Sequence, residues 1–121
     1  MGVEIKPAQA LRLLHDIACG LTHDEKPANA PDFTLRQMII LLTVYLEPPP
    51  HTVRGLARKL GVTKPVITRA LNAMGRQKLV DRRRDLTDRR NVIVRRTVGG
   101  ALYVEGLGDM IVAQAAGLSN A

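Results

Sequence analysis

Fourteen of the eighteen lysines and arginines fall between residues 51 and 100, a stretch with only three carboxylates, Asp81, Asp85 and Asp88. Guanidinium and ammonium groups at that density do one kind of chemistry well: they neutralise a polyanion and donate hydrogen bonds to its acceptors. Residues 1–50 carry 4 basic and 6 acidic side chains and residues 101–121 carry none and 2, so the three segments have formal charges of −2, +11 and −2 within a net charge of +7. A solvated surface normally intersperses both signs, so this segregation points to an anionic polymer, with double-stranded nucleic acid as the expected partner.

A second set of reactive side chains lies near the start. His15, Cys19 and His23 recur every four residues with Asp16 adjacent, and a continuous helix would bring them to one side as zinc-type ligands. Gly20 and Thr22 interrupt that helix, and two or three ligands on one helix end are more often incidental, so neither a metal nor another cofactor is expected. With one cysteine there is no internal disulfide, which fits a reducing compartment. Enzyme chemistry finds no foothold: there is no glycine-rich phosphate loop, nucleophile elbow or Cys-His-Asn set, and the three aspartates sit in an arginine-rich turn that keeps them ionised. Only Phe33, Tyr45 and Tyr103 are aromatic, too few for the base-stacking platforms of single-strand binders.

The elements that must carry these groups can be read from periodicity. At 121 residues and 45% apolar content the chain is expected to be a single domain, 1–121. Leu11, Leu14, Ala18 and Leu21, with Leu13 and Ile17 beside them, predict an amphipathic N-terminal helix over 1–24. Prolines 27 and 31 mark a loop. Thr34 to Leu46 is apolar nearly all round, the pattern of a central core helix, capped by Thr34 and stopped by Pro48-Pro49-Pro50. Thr52 can cap a helix through Val53, Leu56, Ala57 and Leu60, ending at Gly61. Thr63 can cap the next, spanning 63–77, with Pro65 in its first turn and Ile67, Ala70, Leu71 and Met74 on one stripe. Two short helices joined through a glycine turn make a helix-turn-helix. Leu79-Val80 then leads through a charged turn to Asn91-Val92-Ile93-Val94, which predicts a basic β-hairpin over 82–96. Gly99-Gly100 is expected to break the pattern before a final helix at 100–117, weakened by Gly106 and Gly108. The fold class is thus mainly α with a small β-hairpin wing, a winged helix-turn-helix at 33–97 with N- and C-terminal helices for dimerisation.

The run Leu56-Ala57-Arg58-Lys59-Leu60-Gly61-Val62-Thr63-Lys64-Pro65-Val66-Ile67-Thr68-Arg69, followed by Leu79-Val80, Arg82, Asp85, Asp88-Arg89-Arg90, Thr97 and Gly100, resembles the MarR family of winged-helix transcription regulators over roughly residues 33–107. Glycine is usual in that family where Lys78 stands, so the turn into the wing is expected to differ, and leucine is common where Arg96 stands. The resemblance implies a cytoplasmic regulator that binds its operator as a homodimer, with a small-molecule effector as a further partner. Family members build much of their dimer interface from long terminal helices, whereas the segment that follows the wing here is short.

A helix fits the major groove, where base edges carry a distinct donor and acceptor pattern. Lys64, Pro65, Val66, Thr68 and Arg69 are the candidate base contacts: Arg69 can donate two hydrogen bonds to a guanine, and Pro65 and Val66 can touch thymine methyls. Core burial is an equally good reading of Val66. The resemblance places Arg90 in the minor groove, oriented by Asp88, with Arg89 and Arg84 near phosphates; a narrow minor groove concentrates negative potential, which favours arginine. Arg54, Arg58, Lys59, Arg82 and Arg83 are further phosphate candidates. Some regulators of this type sense peroxide through an N-terminal cysteine, which makes Cys19 a candidate redox sensor, although such a cysteine is more often a small core residue. The alternative to a DNA regulator is an adaptor that uses the same fold to bind an acidic protein. No apolar run approaches the twenty residues of a membrane span, and no secretion signal is evident, so no membrane partner is expected.

Overall fold

The computed structural model describes residues 4–22 and 32–118. Their order is α1 (Pro7–Thr22), α2 (Leu35–Leu46), β1 (His51–Thr52), α3 (Val53–Leu60), α4 (Lys64–Arg76), β2 (Val80–Arg84), β3 (Val92–Arg96) and α5 (Val98–Ala116). They form two compact units: Phe33–Val104, and a helical unit from residues up to Asp32 together with those from Glu105 onward. Among the described residues no helix is long and apolar enough to cross a membrane.

In the first unit, α2 runs through the core as its all-round apolar pattern requires, with Ile40, Leu41 and Val44 at zero exposure. Thr34 starts it with a reciprocal capping box: its hydroxyl accepts from the Gln37 amide, and the Gln37 side chain accepts from the Thr34 amide. Helix α3 is capped by Thr52, whose hydroxyl accepts from the Gly55 amide at 2.9 Å, and ends at Gly61 in the left-handed conformation (φ 67°) that glycine adopts without a Cβ clash. Thr63 has the extended backbone of a cap for α4 but makes no side-chain capping bond. The stripe Ile67, Ala70, Leu71 and Met74 is buried as its spacing predicts, against Leu56, Ala57, Val80 and Val94 among others.

The hairpin is antiparallel, with Val80 opposite Arg96 and Arg84 opposite Val92. Its strands begin two residues before the expected wing, at Val80, because Leu79 and Val80 are buried at the foot of the hairpin. A third strand, the two residues of β1, pairs antiparallel with β3 (His51 with Val94, Thr52 with Ile93) and gives the sheet order β1-β3-β2. Lys78, where the turn into the wing was expected to differ, takes a left-handed backbone (φ 60°) and thereby makes the turn that glycine would favour.

Two expectations at the ends are corrected. Helix α5 starts at Val98, not at 100, because the Thr97 hydroxyl accepts from the Gly100 amide at 2.9 Å and caps the first turn. Gly100 is no breaker: a Cβ there would collide with the Tyr45 hydroxyl and the Leu79 carbonyl, so glycine permits a close approach. Helix α1 covers Pro7–Thr22 rather than 1–24; residues 4–6 are not helical, and 1–3, 23 and 24 lie outside the described residues. Its apolar stripe does not build a core. No residue of α1 is buried, and Leu11 and Leu14 are 68% and 63% exposed. Within this helical unit α1 and α5 approach each other at Gly20 and Met110.

Candidate nucleic-acid interface

The antiparallel hairpin of β2 and β3 lies alongside the start of α4, and together with Val53 of α3 they line an open cleft of about 520 Å³. Lys64 and Thr68 from α4 face Arg82, Arg83, Arg84 and Arg90 from the wing across it, over a floor of Val53 and Val92. Five cationic side chains therefore converge on one flank without a carboxylate in the cleft lining. Like charges so close repel one another in the free protein, and a bound polyanion relieves that repulsion.

The wing turn is built to hold arginine tips. The Asp85 carboxylate accepts from the Thr87 amide (2.9 Å) and hydroxyl (2.7 Å), closing one half of the loop. The other half is closed by the Asp88 carboxylate, which accepts from the Arg90 amide at 3.1 Å and then from the Arg90 side chain, Nε at 3.1 Å and Nη2 at 3.3 Å. This two-pronged pairing leaves Arg90 80% exposed but aimed. Arg84 donates from Nη1 to the Arg89 carbonyl at 2.6 Å and so braces the tip from within. The hydrogen bonds from Arg90 hold the Asp88 carboxyl below the ordinary aspartate value, with the Arg54 charge acting in the same direction. Asp85 is lowered by its bonds to Thr87. At the foot of the hairpin Asp81 is lowered by the hydrogen bond and charge of Arg95, its cross-strand partner at 2.6 Å.

The other candidate residues are placed as follows. Pro65 and Arg69 are exposed on α4 outside the cleft lining, and Val66 is half-buried. Arg58 and Arg89 are exposed. Arg54, on the first turn of α3, lies near enough to Asp88 to act on its charge. Lys59 is committed elsewhere, donating to Glu47 at 2.7 Å. Cys19 is exposed rather than a core residue; its sulfur lies 3.7 Å from His15 Nε2, and His15 Nδ1 is 2.9 Å from Asp16 Oδ1. His23 lies outside the described residues, and among those described no group of three His, Cys, Asp or Glu side chains could hold a metal ion.

Residues 32–91, from just before α2 to the far side of the wing turn, match the family model described as MarR family. The chain belongs to the MarR family. A comparison with curated proteins finds no match. Among solved structures, the MarR-family chain is similar to AbfR, in a structure described as overoxidized AbfR bound to DNA, at 27% identity with a TM-score of 0.60 over 67% of this chain and 59% of that one. It thus spans about three-fifths of the AbfR chain. It shares its fold with S. aureus MepR in a DNA complex (21% identity, TM-score 0.62, 88% of this chain and 75% of that one). The same holds for YusO from Bacillus subtilis (17% identity, TM-score 0.65, 90% and 69%). Regulators of this family are not enzymes.

Sequence reasoning missed two features of this MarR-family chain. Strand β1 has only two residues, too short for any alternation to show. Arg96 gave no hint that it reaches α2, because the carbonyls it bonds lie 52 and 49 positions earlier in the chain.

Proposed function

We propose that the protein is a cytoplasmic transcription regulator that binds specific sequences of double-stranded DNA as a homodimer, with residues 63–77 in the major groove and the wing, 82–96, in the adjacent minor groove. The observation that carries this reading is the convergence of Lys64 and Thr68 with Arg82, Arg84 and Arg90 on one open cleft. The DNA complexes described for AbfR and MepR lend support from relatives.

In this reading Lys64, Pro65, Thr68 and Arg69 meet base edges, and the exposed part of Val66 meets a thymine methyl. Arg69 supplies the strongest preference through paired bonds to a guanine. Arg90, aimed by Asp88, enters the minor groove while Arg89 follows the backbone. Arg54, Arg58, Arg82 and Arg84 supply phosphate contacts, with Arg84 also keeping the tip in shape. Dimerisation falls to the helical unit, where Leu11 and Leu14 offer an apolar strip that a second copy can cover.

The test is a titration of labelled duplex at several salt concentrations. With about six to ten phosphates contacted per dimer, affinity falls by roughly 10³ to 10⁵ between 50 and 200 mM salt. A selected site is palindromic, with half-sites about 34–36 Å apart. A flat salt profile would remove the mechanism.

Cys19 carries a secondary reading as a redox sensor, favoured by its exposure and by His15 Nε2 lying 3.7 Å from the sulfur. Thiol titration of the folded protein gives one reactive cysteine if this holds, and none if Cys19 is inert.

A further inference from the structure

The C-terminus of α2 is an unusual place to end a helix. The last carbonyls of any helix lack the amides that would follow; here Glu47 gives its amide to the Thr43 carbonyl, and the three residues after it are Pro48, Pro49 and Pro50, which have no amide hydrogen to give. In a continued helix the Val44 carbonyl would bond the amide of residue 48; proline leaves it unpaired from that side. Arg96 fills the gap. Its Nε donates to the Val44 carbonyl at 2.8 Å and its Nη2 to the Glu47 carbonyl at 3.1 Å, while the guanidinium carbon lies 5.8 Å from the centre of the Tyr45 ring. A cation at this end is also where the helix dipole favours one.

Arg96 is the last residue of β3, opposite Val80 at the start of β2. Its neighbour Thr97 donates its amide to the Tyr45 hydroxyl at 3.0 Å and its own hydroxyl to the Lys78 carbonyl at 2.7 Å. The Tyr45 hydroxyl donates in turn to the Leu79 carbonyl at 2.7 Å. Both feet of the hairpin, Lys78-Leu79 on one side and Arg96-Thr97 on the other, are therefore fastened to one turn of α2.

We infer that Arg96 is a positioning residue for the wing: by gripping the proline-orphaned carbonyl of Val44 and the carbonyl of the capping residue Glu47, which His51 Nε2 also approaches at 3.0 Å, it sets the angle at which the hairpin presents Arg90 beside Lys64 and Thr68. Arg96 lies at the root of the wing and spends two of its donors on α2, so it acts through Arg90. For its effect on nucleic acid the inference rests on the DNA-binding reading above; for the posture of the wing it does not.

The experiment has two arms, on the full chain. In the free protein, hydrogen exchange compares wild type with Arg96→Leu. Exchange at the wing-foot amides of residues 79–81 and 95–97 rises at least tenfold, while the α4 amides keep their protection. In the second arm wild type, Arg96→Leu, Arg90→Ala and the double variant are titrated with a labelled random-sequence duplex. Arg96→Leu lowers affinity on the order of tenfold, and Arg90→Ala then costs little more in its presence, since the tip is already misplaced. Additive losses in the double variant would overturn the positioning role, because a residue that merely stabilises the fold or adds charge acts independently of Arg90. Unchanged exchange at the wing feet overturns it as well, whether or not duplex binds. If exchange rises but the wild type binds no duplex, the grip on the wing stands and the DNA-binding reading falls. Arg96→Lys, which keeps the charge but cannot span both carbonyls, gives the same pattern in weaker form and serves where Arg96→Leu does not fold.

Discussion

The two compact units solve opposite problems. Residues 33–104 bury a contiguous cluster drawn from α2, α3, α4 and the feet of the hairpin, with six large side chains almost wholly shielded from water. In the helical unit Leu107 is the one buried apolar side chain among the described residues, while Leu11, Leu14 and Val112 lie largely exposed. Apolar spacing in both α1 and α4 is that of an amphipathic helix, so periodicity alone does not distinguish a face that is packed from one that is waiting for a partner. The winged unit closes around its own core, whereas the helical unit leaves most of its large apolar side chains exposed.

The sharpest way to break this contrast is to remove a methyl cluster from each unit. Leu71→Ala, at zero exposure, costs about 2–5 kcal/mol in a urea melt. Leu14→Ala changes the melt by less than about 0.5 kcal/mol at protein concentrations that keep the chain monomeric. Equal costs would mean that the two helices are equally buried. Gly100→Ala comes next. Its Cβ would press on the Tyr45 hydroxyl and the Leu79 carbonyl, and forcing them apart costs about 1–3 kcal/mol, read as a drop in melting temperature. Alanine at this position without such a drop would show that α5 can lift from the hairpin feet at no cost.

Smaller effects separate α4 from the wing. Arg69→Ala relaxes base preference at one position of a selected site by about 1–3 kcal/mol, while Arg89→Ala weakens all duplexes alike and lowers the salt slope by about one. Parallel losses in a randomised-site selection would show that the two residues do the same work. The smallest effect is on protonation. Because the Arg90 hydrogen bonds hold the Asp88 carboxyl below 3.8 in the folded chain, the pairing is fully present above that value and is lost only as pH falls through the lowered folded value. A carboxyl-carbon NMR titration places the Asp88 midpoint below 3.8 and moves it upward in Arg90→Ala. A midpoint at the ordinary value would mean that Arg90 is not held.

Where a signal was local, the sequence was a good guide. Thr34, Thr52 and Gly61 each act within four residues of themselves, and their caps stand where their types put them. The winged-helix arrangement followed from the order of such local elements. Asp88 and Arg90 are two residues apart, and the resemblance to the family was enough to pair them. Long-range chemistry stayed out of view. Gly99-Gly100 reads as a break because glycine weakens isolated helices, yet Gly100 serves the tight contact with Tyr45, 55 positions earlier. The spacing of Leu11 and Leu14 shows an amphipathic helix but does not say whether what covers its apolar strip lies within the same chain.

Lys78 leaves one more consequence. Glycine at a left-handed turn lets the chain on either side swivel through several conformations, while a residue with a side chain must accept some strain to stand there and then has few other places to go. The hairpin that follows Lys78 therefore has less orientational freedom to surrender when something docks against it. Lys78→Gly should loosen the hinge, trading a slightly more relaxed monomer for a larger entropic penalty on binding.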